Sequence, residues 1–267
     1  MILLKGEKKM AETVVIKCGG SVLSELSESF FHSLQEMKSR GMNIVIVHGG
    51  GPEIEQMLKQ LNISSEFVNG LRKTTNEVLE VVEMILAGKV NKQLVSLLQK
   101  KGLKAIGLSG IDANLIEARP IDVERLGYVG EVTNVNHLLL QQLAASEYIP
   151  VIAPIGFDQT GQKYNINADT AAGAVAMALE AKHLLFVTDV PGILRNGALV
   201  EQATVEMVLE MIDEGTIYGG MIPKVKAAIE SIAGSLREVI IVSGKLPFFS
   251  ANGEICGTKI MKEAGVY

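Results

Sequence analysis

The stretch "IVIVHGGGPEIEQML", residues Ile44 to Leu58, decides the fold class of this chain. Its first four residues form an apolar run that is typical of a buried strand. Ile54, Met57 and Leu58 then recur at the spacing of one helix face, so a helix is expected directly after the strand. Three glycines separate the two elements. Backbone without side chains at a strand-to-helix junction indicates a close approach to another group.

The same alternation of strand and helix runs through the rest of the sequence. Further strands are expected at residues 13–17, 104–110, 149–156, 183–190 and 238–244. Helices are expected after 13–17, across 76–100 with an interruption near Gly88, and at 135–146, 169–179, 204–214 and 222–233. Residues 67–73 contain Asn-Gly between apolar residues and predict a hairpin. The segments "LIEARPI" and "YVGEVTNV" predict a second hairpin on a sheet edge.

Strands that alternate with helices predict an α/β fold with one mostly parallel sheet covered by helices on both faces. No linker rich in Pro, Gly or Ser divides the chain, so two lobes would have to share one continuous sheet. Ligands in such sheets bind at the carboxyl ends of the strands. The polar residues that follow each strand are therefore the candidates for a site.

Composition excludes several function classes. The 267 residues carry a net charge of −5 and no basic tract, which argues against nucleic acid as the partner. Two distant cysteines predict neither a disulfide framework nor a zinc site, and fit a reducing cytoplasm. No apolar run reaches the roughly 20 residues of a membrane span. Met10 is the expected natural start, because the first strand follows it closely.

Two glycine-rich junctions follow consecutive strands. Lys17 ends the first strand and is followed by Gly19 and Gly20, whose N–H groups are suited to an anion-binding turn. The bland alternative is a tight turn beside a surface lysine. Gly49 to Gly51 make the second junction, and two such junctions facing one crevice predict a phosphate or carboxylate site.

Five further polar residues are candidates. In "YNINAD", Asn165 and Asn167 alternate on one face of an extended segment, and Asp169 opens a helix. Asp169 could be a plain N-cap. Lys224 and Arg72 could be solvated surface residues, although the planar fork of an arginine suits a carboxylate ligand.

Neither histidine nor cysteine provides a convincing catalyst. His48 precedes the glycines, and a hydrogen-bonded structural role is expected for it. Cys18 has only Lys17 to lower its thiol pKa and lacks an evident base, so we expect it to be structural. No metal-ligand pattern is present among the four histidines.

Six segments, taken together and in order, resemble a known family: "VIKCGGS", "VIVHGGGPEI", "NGLRKT", "YNINADTAA", "TDVPGIL" and "GGMIPKV". The chain is similar to the acetylglutamate kinases of the amino acid kinase family from about Thr13 to the C-terminal "GTKI". The family at large shares the first motif and the "TD" strand end, whereas "NGLRKT" with "YNINAD" is much more specific. The resemblance implies a three-layer αβα sandwich of two lobes that share the sheet. Residues 1–180 would bind acetylglutamate and dimerise, and 181–267 would bind ATP.

The resemblance also implies an activity and residue roles. ATP would phosphorylate the side-chain carboxylate of N-acetyl-L-glutamate, an early step of arginine biosynthesis, with Mg²⁺ carried on the nucleotide phosphates. Lys17 and Lys224 would hold the migrating phosphoryl group, and Asp169 would position both lysines. The substrate ligands would be Gly50, Gly51, Arg72 and Asn165. The ATP ligands would be Gly19, Gly20, Asp189, Val190, Pro191, Gly192, Ile193, Leu194, Thr216, Ile217 and Tyr218.

The implied chemistry is consistent with the residues. A carboxylate with a reference pKa near 4.3 is already ionised at neutral pH, so no general base is needed. Positioning and electrostatic stabilisation would carry the reaction.

Other functions remain open at this point. A related kinase could act on aminoadipate, carbamate or UMP. A dinucleotide-dependent oxidoreductase is disfavoured because neither glycine motif fits the Rossmann fingerprint. A non-catalytic amino-acid sensor would not need both lysines with Asp169. Arginine-inhibited members of the family carry an additional N-terminal helix, and the 12 residues before Thr13 lack a long amphipathic pattern. An arginine-insensitive homodimer is therefore expected, and the two cysteines fit a cytoplasmic location.

Overall fold

The computed structural model describes residues 11–23, 26–219, 221–233, 236 and 238–262. The expected start at Met10 lies outside the described residues. The strands are β1 (Thr13–Cys18), β2 (Asn43–His48), β3 (Phe67–Val68), β4 (Leu71–Arg72), β5 (Ala105–Ser109), β6 (Ile116–Pro120), β7 (Val129–Val135), β8 (Ile149–Ala153), β9 (Ile155–Phe157), β10 (Lys163–Ile166), β11 (His183–Thr188), β12 (Leu194–Arg195), β13 (Ala198–Leu199), β14 (Gln202–Thr204), β15 (Glu238–Ser243) and β16 (Thr258–Met261).

The α-helices are α1 (Gly20–Leu23), α2 (Glu28–Ser39), α3 (Gly51–Gln60), α4 (Asn76–Glu83), α5 (Asn91–Lys100), α6 (Val123–Leu126), α7 (His137–Ala145), α8 (Ala168–Ala178), α9 (Val205–Asp213) and α10 (Met221–Ala233). A π-helical segment, Met84–Val90, joins α4 to α5, and Asp112–Asn114 form a 3₁₀ turn. The interruption expected near Gly88 is thus a widening of one continuous helix. Such π segments occur frequently at functional sites.

The central sheet confirms the predicted architecture. Within the described part of the chain it has eight strands in the order β14-β16-β15-β11-β1-β2-β8-β5. Neighbouring strands are parallel except for the pair β15 and β16, which is antiparallel. The strands come from both the early and the late parts of the sequence, and β1 lies next to both β2 and β11 at the centre. The carboxyl ends of these three strands therefore meet at one edge.

Helices cover both faces of this sheet because its strand residues alternate between two cores. Val15 of β1 packs in the core that contains α8 and α10, whereas Val14 and Ile16 pack in the core that contains α2 and α5. Lys17 continues the alternation of Val15, so its side chain leaves the strand on the side of α8. The register of one strand thus determines which helix the candidate lysine can reach.

The sequence analysis predicted the pairing of the second hairpin correctly, but its predicted position at a sheet edge is wrong. Strands β6 and β7 are antiparallel, yet they belong to a small closed barrel with β9 and β10 rather than to an edge of the main sheet. Close packing inside this barrel depends on glycine. A Cβ on Gly130 would lie 2.6 Å from the Cβ of Tyr164, and one on Gly156 would lie 2.6 Å from Ile166.

The first hairpin, β3 with β4, forms as predicted. None of the described helices is long and apolar enough to cross a membrane.

Candidate active site

Lys17 forms an ion pair with Asp169 at the carboxyl end of the central strand. The two groups approach to 2.6 Å between Nζ and Oδ1, and both side chains are largely withdrawn from solvent. The carboxylate lies in the first turn of α8, where the helix dipole favours negative charge. The Oδ1 atom is buried and accepts no hydrogen bond of regular geometry, so the contact is primarily electrostatic.

Asn167, not Asp169, caps helix α8. Its Oδ1 accepts hydrogen bonds from the backbone N–H groups of Asp169 at 2.8 Å and Thr170 at 3.3 Å. The capping role considered for Asp169 from the sequence is therefore wrong. Because the preceding asparagine satisfies the helix end, the aspartate side chain is available to Lys17.

The two glycine junctions touch each other through bare backbone. A Cβ on Gly20 would lie 2.9 Å from the Cα of Gly50 and 2.9 Å from the N of Gly51. Real Cβ atoms do not approach backbone this closely, so glycine is required at position 20. The predicted convergence of the junctions follows from the pairing of β1 with β2, which is parallel and in register from Thr13 to Cys18.

Arg72 is a buried cation rather than a solvated hairpin residue. Its Nη1 donates to Glu55 Oε2 at 2.6 Å and also to the hydroxyl of Ser65. Its guanidinium lies 4.5 Å from the ring centroid of Phe67. The hydrogen bond from Arg72 lowers the pKa of Glu55, which is consistent with an ionised partner. These contacts hold one edge of the guanidinium fork in place.

Asn165 is linked to Arg72 through a residue that the sequence analysis did not single out. Asn165 Nδ2 donates to the hydroxyl of Thr74 at 3.1 Å, and that hydroxyl donates to the carbonyl of Arg72 at 2.7 Å. Thr74 is fully buried. Thr74 is the last residue of the motif "NGLRKT", and this position in the motif was the only feature of the sequence that could have indicated its role.

Lys224 approaches the site from the first turn of α10. Its Nζ donates to Asp189 Oδ1 at 3.0 Å, directly beyond the end of β11. This hydrogen bond lowers the pKa of Asp189. The expectation that Asp169 would position both lysines is not met in this structure, because Lys224 pairs with Asp189 and Asp169 pairs with Lys17.

Two cavities meet at Lys224. The first, of about 400 Å³, is bordered by both lysines, and the second, of about 600 Å³, lies on the other side of Lys224. The predicted residues that line the first cavity are Lys17, Gly19, Gly20, Gly50, Gly51, Arg72, Asn165, Asp169 and Lys224. Those that line the second are Asp189, Val190, Gly192, Ile193, Leu194, Thr216, Ile217, Tyr218 and Lys224. Pro191 is not among the lining residues of either cavity.

Cys18 and His48, which the sequence analysis interpreted as structural residues, are both buried. Cys18 is fully enclosed, and burial raises the pKa of its thiol to about 12, so it is a poor nucleophile. His48 is also fully enclosed, and burial lowers its pKa to about 4. Within the described ranges, no group of three His, Cys, Asp or Glu side chains is placed to hold a metal ion.

The chain is similar to known proteins over most of its length. The sequence model of the amino acid kinase family matches residues 12–243. A protein of Geobacillus sp. (strain WCH70) named acetylglutamate kinase is 69% identical over 97% of this chain and all of its own length. Its namesake from Geobacillus stearothermophilus is 63% identical over the same shares.

A solved structure resembles the whole fold. The protein smu.665 from Streptococcus mutans UA159 superposes with a TM-score of 0.83 at 33% identity, covering 94% of this chain and 99% of that one. The family model, the two relatives and this superposition each span nearly the whole chain. The chain therefore belongs to the amino acid kinase family, within the group whose curated members are named acetylglutamate kinase.

Proposed function

We propose that this protein is an ATP-dependent acetylglutamate kinase of arginine biosynthesis. A side-chain carboxylate oxygen of N-acetyl-L-glutamate attacks the γ-phosphorus of ATP, and the bond from that phosphorus to the β–γ bridging oxygen breaks. The products are N-acetyl-glutamyl 5-phosphate and ADP, which leaves with the electron pair. The single observation that carries the proposal is that Lys17 and Lys224, which lie far apart in the sequence, border one cavity.

The reaction needs positive charge more than it needs a base. The attacking carboxylate is ionised at neutral pH, so no proton has to be removed. Two anions must instead be brought together, and a phosphoryl group must be stabilised between two oxygens. Lys17 and Lys224 supply that charge from different elements, β1 and α10. The aspartates that face them, Asp169 and Asp189, hold the ammonium groups in place.

The first cavity is suited to the acetylated amino acid. Arg72 offers a planar fork to a carboxylate, and one edge of that fork is already held by Glu55. Asn165 offers an amide, and Gly50 and Gly51 offer backbone at the start of α3. In this assignment residues 1–180 form the lobe that binds acetylglutamate.

The second cavity is suited to the nucleotide, with residues 181–267 as the ATP lobe. The phosphates would extend from there past Lys224 towards Gly19 and Gly20. Asp169 and Asp189 each face a lysine, so they fit a role in holding the two ammonium groups better than a role as metal ligands. Mg²⁺ would accordingly be held on the nucleotide phosphates, where it neutralises charge.

We also propose that the protein is a homodimer in the cytoplasm, as the resemblance described from the sequence implies. Light scattering of the purified protein at several concentrations measures the assembly. A mass twice that of the chain is expected, and a monomer or a hexamer would contradict it.

The decisive experiment is a hydroxylamine trap for the acyl phosphate. Purified protein is incubated with ATP and N-acetylglutamate, and hydroxamate formation is compared with glutamate, aspartate and carbamate as acceptors. With UMP as the acceptor, ADP release is measured in parallel. We expect N-acetylglutamate to have the highest kcat/KM. A higher kcat/KM for any other acceptor would show that this acceptor, and not N-acetylglutamate, is the substrate.

A further inference from the structure

Asn91 is a fully buried amide whose orientation is determined by the strands around it. It is the first residue of α5, directly after the π-helical segment. Its Nδ2 lies 2.9 Å from the carbonyl oxygen of Val151 and 3.3 Å from that of Leu108. Carbonyls accept hydrogen bonds and do not donate them, so the amide nitrogen must face them. The ammonium of Lys92, 3.1 Å from Oδ1, requires the same orientation.

The orientation of Asn91 determines which nitrogen of His48 carries the proton. Asn91 Nδ2 lies 3.1 Å from His48 Nε2, and because the amide nitrogen is a donor, Nε2 must accept. A neutral imidazole then carries its proton on Nδ1. That nitrogen lies 3.0 Å from the carbonyl oxygen of Gly49 and donates to it. The lowered pKa of the buried ring agrees with a neutral imidazole.

The hydrogen bond to Gly49 determines where the next N–H points. A peptide group is planar, so its C=O and the following N–H point in opposite directions. Holding the carbonyl of Gly49 therefore fixes the N–H of Gly50. Gly50 precedes the first turn of α3, where N–H groups have no acceptor within the helix. Both glycines line the first cavity, whereas His48 and Asn91 do not.

Two close contacts show how tightly glycines pack against the helix that runs from α4 to α5. A Cβ on Gly107 would lie 1.9 Å from Asn91 Oδ1, so only glycine in β5 admits the amide. A Cβ on Gly50 would lie 2.7 Å from Leu86 Cδ2, which belongs to the π-helical segment. The continuous helix from α4 to α5 thus contacts the glycine junction directly through Leu86 and indirectly through Asn91.

We propose that Asn91 and His48 are positioning residues for phosphoryl transfer, which hold the peptide between Gly49 and Gly50 so that its N–H faces the acceptor in the first cavity. The inference rests on the proposed kinase function and deepens it. Neither side chain touches the substrate; both act through the Gly49 carbonyl.

The experiment has a spectroscopic part and a kinetic part. ¹⁵N NMR of the histidine-labelled full-length protein near neutral pH identifies the protonated ring nitrogen of His48, whose signal is assigned by its absence from His48→Gln. We expect the proton on Nδ1. Asn91→Leu keeps the branching of the side chain and removes both donors. We expect it to lower kcat/KM for N-acetylglutamate at least tenfold, with KM for ATP changed less than twofold.

Ser33→Ala is the matched control. Ser33 is also buried and donates to the carbonyl of Ser29, but it lies in α2 away from both cavities. We expect the control to lose thermal stability without a selective loss of kcat/KM for the acceptor. If Asn91→Leu does not fold, Asn91→Ser, whose hydroxyl is too short to reach His48, takes its place.

Three outcomes would overturn the proposal: a proton on Nε2 in the wild-type protein, unchanged kinetics at position 91, or an equal loss in Ser33→Ala. A wild-type protein that forms no hydroxamate from N-acetylglutamate would instead refute the kinase function, and the NMR result would still decide the tautomer of His48.

Discussion

The ammonium group of Lys224 lies 3.0 Å from the Oδ1 of Asp189, at the boundary between the two cavities. Lys17 borders the first cavity and is held by Asp169 instead. Each lysine therefore has its own carboxylate, and the pairs come from β1 with α8 and from α10 with the end of β11. Two independently held cations can approach one phosphoryl group from two sides, and separate substitutions can distinguish their roles.

Lys17→Ala and Lys224→Ala should each lower kcat by roughly 100- to 1,000-fold, because each removes a positive charge that stabilises the transferring phosphoryl group. The hydroxamate assay measures this, and circular dichroism confirms the fold. Lys104→Ala is the control, since Lys104 pairs with Glu147 on the exposed surface and should keep kcat within twofold. Near-normal turnover of Lys224→Ala would refute the charge arrangement.

Asp189→Asn should act mainly on the nucleotide. It removes the charge that holds Lys224 while keeping the size of the side chain, so the lysine is placed less well at the second cavity. We expect KM for ATP to rise several-fold and KM for N-acetylglutamate to change less. Initial rates at varied ATP provide the measurement, and a larger effect on the acceptor would assign Asp189 to the other substrate.

Arg72→Lys should not rescue the loss in Arg72→Ala. The guanidinium is held against Glu55 and Phe67, and an ammonium cannot make the same planar contacts. Both variants should raise KM for N-acetylglutamate at least tenfold, with a smaller change in KM for ATP. Full recovery in the lysine variant would show that charge alone suffices at this position.

Gly20→Ala should lower both stability and kcat. The new Cβ would press on the backbone of Gly50 and Gly51, which cannot move aside as a flexible side chain could. Gly88→Ala is the control, because a Cβ there meets nothing within 4 Å and alanine favours the helix by about 1 kcal/mol. Thermal unfolding and kcat are compared for the two variants. Equal behaviour would contradict the close approach of the junctions.

The buried His48 should make the fold sensitive to acid. Its pKa is lowered from 6.5 to about 4, so the unfolded chain binds more protons than the folded chain between these values. The stability that the neutral His48 contributes is therefore fully present above pH 6.5. This contribution is lost as the pH falls towards 4, which lowers the free energy of unfolding by about 3 kcal/mol at most.

Unfolding midpoints across this pH range test the contribution of His48. His48→Gln should flatten the dependence, whereas His32→Gln, at an exposed position of α2, should retain it. An unchanged pH dependence in His48→Gln would assign the acid sensitivity to other groups.

The sequence by itself determined the alternation of strand and helix, the parallel sheet and the strand ends at which a site could form. It also identified Lys17, the two glycine junctions and Asp169, because these residues follow strands or open helices in recognisable local patterns. Local pattern decides secondary structure, since periodicity and glycine act within a few neighbouring residues.

Tertiary structure alone decided which partners these residues have. The pairing of Lys224 with Asp189, the link from Asn165 through Thr74 to Arg72, and the contact of Asn91 with His48 join residues 35, 91 and 43 positions apart. The closed barrel of β6, β7, β9 and β10 likewise depends on pairing between distant strands. No local pattern encodes such contacts, because they form only when packing of the whole sheet brings separate elements to one edge.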